Sequence, residues 1–156
     1  MNGSTAERGT IVLLSGPNLN LLGEREPLIY GSASLADHVD LAVTTAAELG
    51  FGLRHRQSNH EGDLVEAVHA ARADAVALVV NPGAFTHSAW ALHDALASFD
   101  APVVELHLSN PVSREPWRHT SVVTPVADAL ICGLGGQGYR LAIEAVDVLV
   151  GRLTGE

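Results

Sequence analysis

Apolar positions along the chain fall into short unbroken runs separated by longer amphipathic stretches. Thr10 to Leu14, Ala75 to Val80 and Pro102 to Leu108 are aliphatic or β-branched runs bounded by turn residues, the pattern of strands buried on both faces. Phe51 to Arg56 carries charge and predicts an edge strand, and Ala129 to Gly133 predicts a fifth strand. Between the runs lie helical stripes. Leu35, Val39, Ala42, Val43, Ala46 and Leu49 recur at helical spacing behind a Ser34–Asp37 cap signal, and Gly50 closes the run. Ser58-Asn59 predicts the cap of a second helix with Leu64, Val65, Val68 and Ala71 on its core face. Thr86 or Ser88 predicts the cap of a third, running to about Ser98, and Gln137 to Leu153 forms the last. Strands alternating with helices at short spacing predict an α/β fold, a doubly wound five-stranded parallel sheet with helices on both faces. The small polar residues 1–9 are expected to form a flexible N-terminal tail, and 10–156 a single domain.

Polar chemistry gathers where such a sheet binds ligands, outside the carboxyl ends of its strands. Asn18 follows the first strand and Asn81 the third. Side chains on a strand alternate faces, so Glu105 and His107 share one face of the fourth strand while Val104, Leu106 and Leu108 take the other. Burying that acid and imidazole costs free energy unless they are paired or face a solvated cleft. Ser109, Asn110, Arg114 and Arg118 follow, so a carboxylate, an imidazole, a hydroxyl and two guanidiniums fall within 14 residues. Leu19 to Ser32 has no steady period and holds Gly23, Pro27 and Gly31; it predicts a long lid-like loop carrying Arg25 and Tyr30. His87 and Asp94 are seven apart, which predicts one face of the third helix with about 10 Å between them along the axis.

Composition narrows the chemistry. Acidic residues outnumber basic ones 18 to 9 for a net charge of -9, which opposes nonspecific binding to nucleic acid or to an anionic membrane. All nine basic residues are arginine. Without lysine there is no Schiff-base catalysis and no Walker phosphate loop, while arginine suits a planar carboxylate or phosphate partner. The single cysteine, Cys132, lies in an apolar run and reads as a small core residue; one cysteine allows no intrachain disulfide, as suits a reducing cytoplasm. The first ten residues lack the apolar core of a signal peptide, and no run approaches the ~20 residues of a membrane helix. The eight histidines show no ligand spacing, are expected mostly at the surface, and imply no metal; His60-Glu61 is followed next by His69, which rejects a zinc-protease helix. Gly133-Leu-Gly-Gly-Gln-Gly138 matches a dinucleotide fingerprint, but the following strand with an acidic end that such a site requires is missing. These glycines are expected to permit close helix–sheet packing or a tight turn. A response-regulator site would need carboxylates after the first strand and a lysine on the fifth, and neither is present.

Seven separated blocks together resemble type II 3-dehydroquinate dehydratases. They are Gly16-Pro-Asn-Leu-Asn-Leu-Leu-Gly23, Glu26-Pro-Leu-Ile-Tyr-Gly31, Arg56-Gln-Ser-Asn-His-Glu-Gly62, Asn81-Pro-Gly-Ala84, Glu105-Leu-His-Leu-Ser-Asn110, Arg114-Glu-Pro-Trp-Arg-His119 and Gly135-Gly-Gln-Gly-Tyr139, covering about residues 10 to 150. The resemblance implies a flavodoxin-like fold and reversible anti elimination of water from 3-dehydroquinate through an enolate, with no metal or organic cofactor, in the shikimate or quinate route. It implies that Tyr30 is the general base, His107 the general acid, Arg25 the lid arginine that stabilises the transition state and Asn18 the group that steadies the enolate. Glu105 and Arg114 match residues that orient or tune the acid and base. Asn81, His87, Leu108, Ser109 and Arg118 match substrate contacts. Asp94 matches a residue reaching a neighbouring subunit's site in a homo-oligomer, a dodecamer built as a tetramer of trimers. The chain departs from the common pattern at Phe85, at Ser88-Ala89-Trp90 and at His93.

The chemistry is coherent on physical grounds. A tyrosine has an ordinary pKa near 10, and a neighbouring cation lowers such a value, so Arg25 and Arg114 are the candidate activators of Tyr30. A developing enolate oxygen needs fixed donors, which Asn18 supplies, and departing hydroxide needs a proton, which His107 supplies. A flavin- or nucleotide-binding module and a catalytically inactive structural subunit are the competing readings. Flavin absorbance would mark the first, and normal assembly without an enone product the second.

Overall fold

The computed structural model describes residues 6–156. Five strands, β1 (Thr10–Ser15), β2 (Gly52–Gln57), β3 (Ala75–Asn81), β4 (Val103–His107) and β5 (Ala129–Cys132), form one parallel sheet in the order β2-β1-β3-β4-β5. The expected doubly wound fold is therefore the observed one, with the charged β2 at an edge. Helices α1 (Pro27–Tyr30), α2 (Leu35–Glu48), α3 (Glu61–Ala71), α4 (Trp90–Ala97) and α5 (Gln137–Thr154) complete the chain.

Strand alternation divides the interior into two cores. Ile11 and Leu13 of β1, Ala77 and Val79 of β3 and Val104 and Leu106 of β4 meet α2 and α5. Their neighbours Val12, Leu14, Leu78, Val80 and Val103 meet α3 and α4 through Leu64, Val68, Leu92 and Leu96. The two crossovers β1-α2-β2 and β3-α4-β4 depart from neighbouring strands in opposite directions, which opens a crevice at the carboxyl ends of β1 and β3. Strand register and one hydrogen bond fix that rim. Ser15 stands in register with Asn81, and the Gly16 amide donates to the Asn81 carbonyl at 2.8 Å.

Local chemistry agrees with the expected elements at α2 and differs at three others. Ser34 accepts from the Asp37 amide at 3.2 Å and Asp37 from the Ser34 amide at 2.9 Å, a complete capping box. Ser58 and Asn59 do not cap α3; His60 does, with no side-chain bond. Ser58 Oγ instead donates to the Asp63 carboxylate in the first turn of α3 at 2.7 Å, and Asn59 Oδ1 accepts from the Asn18 amide at 2.9 Å and so braces the loop after β1. Thr86 and Ser88 do not cap α4. Gly83–His87 is a 3-10 turn, Thr86 Oγ1 donates to the Gly83 carbonyl at 2.7 Å, and the helix begins at Trp90 behind Ala89. Since His87 lies outside α4, the seven-residue spacing to Asp94 sets no common face. The stretch 19–32, expected without structure, holds a 3-10 turn at Leu19–Leu21 and the one-turn α1.

Of the expected tail, residues 1–5 lie outside the described residues. Arg8 is docked: its guanidinium lies 4.3 Å above the Phe51 ring and bonds Asp147 and the Leu49 carbonyl. Glycine roles match the sequence reading. Gly133 and Gly135 have φ of 84° and 56°, and a Cβ on Gly138 would lie 2.8 Å from Leu106 Cδ1. The histidines differ from expectation, because only His60, His69 and His119 are exposed. Burial holds His38, His55 and His87 below the usual imidazole range.

Gly16 has the tightest approach to backbone, since a Cβ there would lie 2.2 Å from the Pro82 carbonyl oxygen. Gly16→Ala is expected to cost about 1–3 kcal/mol in urea unfolding; an unchanged midpoint would contradict this packing. The three depressed histidines predict a pH dependence. Between their lowered folded values and the ordinary value near 6.5, the unfolded chain binds more protons than the folded one, so stability rises with pH across that window. The urea midpoint should be lower at about pH 5.5 than at about 7.5, and imidazole NMR titrations should give midpoints below 6.5 for these rings.

Candidate active site

One cleft at the carboxyl rim of β1, β3 and β4 gathers residues from five separated segments. Its walls include Asn18 and Leu19 after β1, Arg25 and Tyr30 of the lid, Asn81 at the end of β3 with Gly83 and His87 after it, His107 at the end of β4 with Leu108 and Ser109 after it, and Arg114 and Arg118 beyond. Ten of the twelve site residues expected from sequence thus line one space. Glu105 lies behind His107 rather than on the wall, and Asp94 is exposed on α4 away from the cleft. Within one chain, Asp94 plays no part in this site.

Beneath the cleft lies a buried, hydrogen-bonded carboxyl–imidazole pair. Glu105 is 1% exposed and His107 8%, and Glu105 Oε2 meets His107 Nε2 at 2.5 Å. Strand alternation sets the pair, with both side chains on the Val103 face of β4. The second carboxylate oxygen, Oε1, accepts from Thr124 Oγ1 at 2.7 Å. With Glu105 ionised, Nε2 carries a proton and Nδ1 is the free ring atom.

The lid supplies the opposite wall. Tyr30 ends α1, whose cap residue Glu26 has φ of 42°. The Arg25 and Arg114 guanidinium carbons lie 5.4 Å and 5.2 Å from the centre of the Tyr30 ring. Two cations from different segments therefore lie beside one phenol ring. Arg25 also pairs with Glu26 at 3.2 Å, and Arg114 donates to Ser109 Oγ at 3.2 Å. Asn18 adopts φ of 65°, a left-handed conformation that asparagine tolerates better than most residues, and this turns the chain from β1 across the rim.

The remaining polar groups are oriented from behind. His87 Nδ1 lies 2.7 Å from the Thr120 carbonyl, and a carbonyl only accepts, so Nδ1 carries the proton. Burial first, and the nearby Arg118 and His107 charges, hold this ring below the usual range against the opposing pull of the Thr120 bond and Glu105. At neutral pH it is uncharged, with Nε2 as an acceptor. The Asn81 amide is fixed on both sides, with Oδ1 accepting from the Gly83 amide at 3.3 Å and Nδ2 donating to Tyr139 OH at 3.4 Å. Tyr139 is 1% exposed, and burial pushes its hydroxyl up to about 12. Arg118 donates to Glu115 at 2.6 Å and stacks 4.0 Å from the Trp117 ring, which in turn sits edge-on to His87.

The cleft is rich in cations and donors, so it suits a small anion bearing hydroxyls. It also sets a phenol against an imidazole, the requirement for moving two protons. Among the described residues no group of three or more histidine, cysteine or carboxylate side chains could hold a metal ion. Sequence reasoning missed Thr120, Trp117 and Thr124, which act on the site only through other residues; a Ser/Thr-rich stretch before Pro125 is the one local signal they leave.

Known proteins resemble this chain over most of its length. The model of the family described as dehydroquinase class II matches residues 9–147. A 3-dehydroquinate dehydratase from Azorhizobium caulinodans is 56% identical over 137 residues, covering 88% of this chain and 92% of that protein. A catabolic 3-dehydroquinase from Pyricularia oryzae is 52% identical over 141 residues, covering 89% and 90%. The crystal structure of a type II dehydroquinase from Propionibacterium acnes superposes with a TM-score of 0.86 at 38% identity, covering 90% of this chain and 97% of that one. With the model spanning most of the chain and relatives above half identity, this chain belongs to the class II dehydroquinase family.

Proposed function

We propose that this chain catalyses the reversible dehydration of 3-dehydroquinate to 3-dehydroshikimate. One observation carries the reading: a phenol flanked by two guanidiniums shares a cleft with an imidazole backed by a buried carboxylate. Tyr30, as phenolate, takes a proton from the carbon next to the ketone, and the electron pair moves into an enolate. Arg25 and Arg114 balance the charge on the phenol. Asn18 steadies the enolate oxygen with a fixed donor. When the enolate collapses, the carbon–oxygen bond to the departing hydroxyl breaks. His107 Nδ1 gives that oxygen its proton, so water leaves and an enone remains. Glu105 holds the imidazolium form in place from the rear.

The substrate's carboxylate and hydroxyls explain the other residues. Arg118, Ser109 and the Leu108 backbone are suited to the anion, and His87 Nε2 and Asn81 to hydroxyl groups. The proposed reaction asks for no cofactor. Asp94 gains a role only if it reaches another subunit's cleft, which we propose within a dodecamer of the family type. A cytoplasmic setting fits the expected reaction, and among the described residues no helix is long and apolar enough to cross a membrane.

The test is ultraviolet absorbance of the enone formed from 3-dehydroquinate. Tyr30→Phe should lower kcat by about 10²–10⁴-fold, and equal activity would reject Tyr30 as the base. His107→Ala should lower kcat more than it raises KM, and a pure affinity loss would reject its acid role. Light scattering should give roughly twelve times the 16.3 kDa chain mass; a monomer's mass would leave Asp94 without its proposed site.

A further inference from the structure

Glu105 is buried at the bottom of the sheet's rim, with 1% of its surface exposed. A carboxylate in that position must find all its donors in the protein. It has two: His107 Nε2 on Oε2, and Thr124 Oγ1 on Oε1 at 2.7 Å. Thr124 comes from a segment 19 residues further along the chain. Its position is built rather than incidental. Ser121 Oγ accepts from the amides of both Val123 and Thr124 at 3.0 Å, and Thr124 opens a 3-10 turn with Pro125 as its second residue. Val122 and Val123 are buried in the core beside α4, and the Val122 amide donates to the Thr86 carbonyl at 2.8 Å. The same strap presents the Thr120 carbonyl to His87.

The direction of each bond follows from its atoms. An ionised carboxylate only accepts, so the Thr124 hydroxyl donates its one proton to Oε1. That contact fixes rotation about the end of the Glu105 side chain and leaves Oε2 aimed at the imidazole. The imidazole then carries its proton on Nε2, which leaves Nδ1 as the ring nitrogen available to the cleft that His107 lines. We propose that Thr124 is a positioning residue for the dehydration: its hydroxyl locks the Glu105 carboxylate and, through it, the ring orientation and tautomer of His107. This rests on the reading of His107 as the proton donor.

Thr124→Val keeps the shape and removes the donor. It should lower kcat about tenfold, the scale of one hydrogen bond to a charged group, with KM within about twofold, and Thr124→Ser should restore most of the loss. If the valine variant fails to fold, Thr124→Ala compared with Thr124→Ser gives the same contrast. Nitrogen-15 NMR of the His107 ring supplies a readout independent of turnover. The parent protein should show Nε2 as the protonated nitrogen when the ring is neutral, and Thr124→Val should lose that single tautomer. Full kcat in Thr124→Val, equal losses in the serine and valine variants, a loss in KM alone, or unchanged ring signals would each overturn the proposal. If the parent protein forms no enone, the functional reading fails, and the ring signals alone decide whether Thr124 sets the His107 tautomer.

Discussion

Burial of one carboxylate constrains the catalytic end of this molecule. Glu105 sits on a central strand with 1% of its surface exposed. A charge there is tolerable only when every donor it needs is supplied at bonding distance. The strand meets that condition by placing an imidazole two residues on, and the loop after it adds a hydroxyl. Much of what surrounds the cleft serves to hold those partners in place. The strap from Thr120 to Thr124 is threaded between the α3–α4 core and the rim, and the Thr86 carbonyl anchors it.

The sheet order explains why one rim collects chemistry from five segments. Adjacent β1 and β3 send their chains to opposite faces, so their carboxyl ends leave a gap that no helix fills. Close backbone approach then draws the gap tight, with Gly16 against Pro82. Side chains entering from β4 and from the lid meet across this gap. The same topology serves many chemistries in other proteins, so the reaction proposed here rests on the site and on family membership and not on the fold.

Much of this was legible in the sequence, for physical reasons. Strand alternation is strict, so Val103 to His107 revealed which residues share a face before any coordinates. The capping box at Ser34 was likewise a local signal with one structural solution, and the glycines of 133–138 left only close packing or a tight turn, both of which the structure uses. Other features depended on partners far along the chain. Asn59 has cap chemistry but is engaged by Asn18 from 41 positions away, so a tertiary contact overrode the local preference. The α4 start shifted to Trp90 because Thr86 spent its hydroxyl on a 3-10 turn. The histidines looked like surface residues because imidazole carries little periodic signal, and their carbonyl partners at Thr120 and Val122 are about thirty positions away. The Glu105–His107 pair was visible as two residues on one face, but the hydroxyl of Thr124 behind it was not.

The lid's helical turn is only four residues long, Pro27–Tyr30. A helix of that length has no stability of its own. Its order comes from what Tyr30 touches, which includes the Arg25 and Arg114 guanidiniums. Charge balance at the phenol and ordering of the lid are therefore a single interaction counted twice. A variant that neutralises either arginine would therefore remove a lid contact together with a cation beside the phenol, and rate measurements on it would report the sum of the two effects.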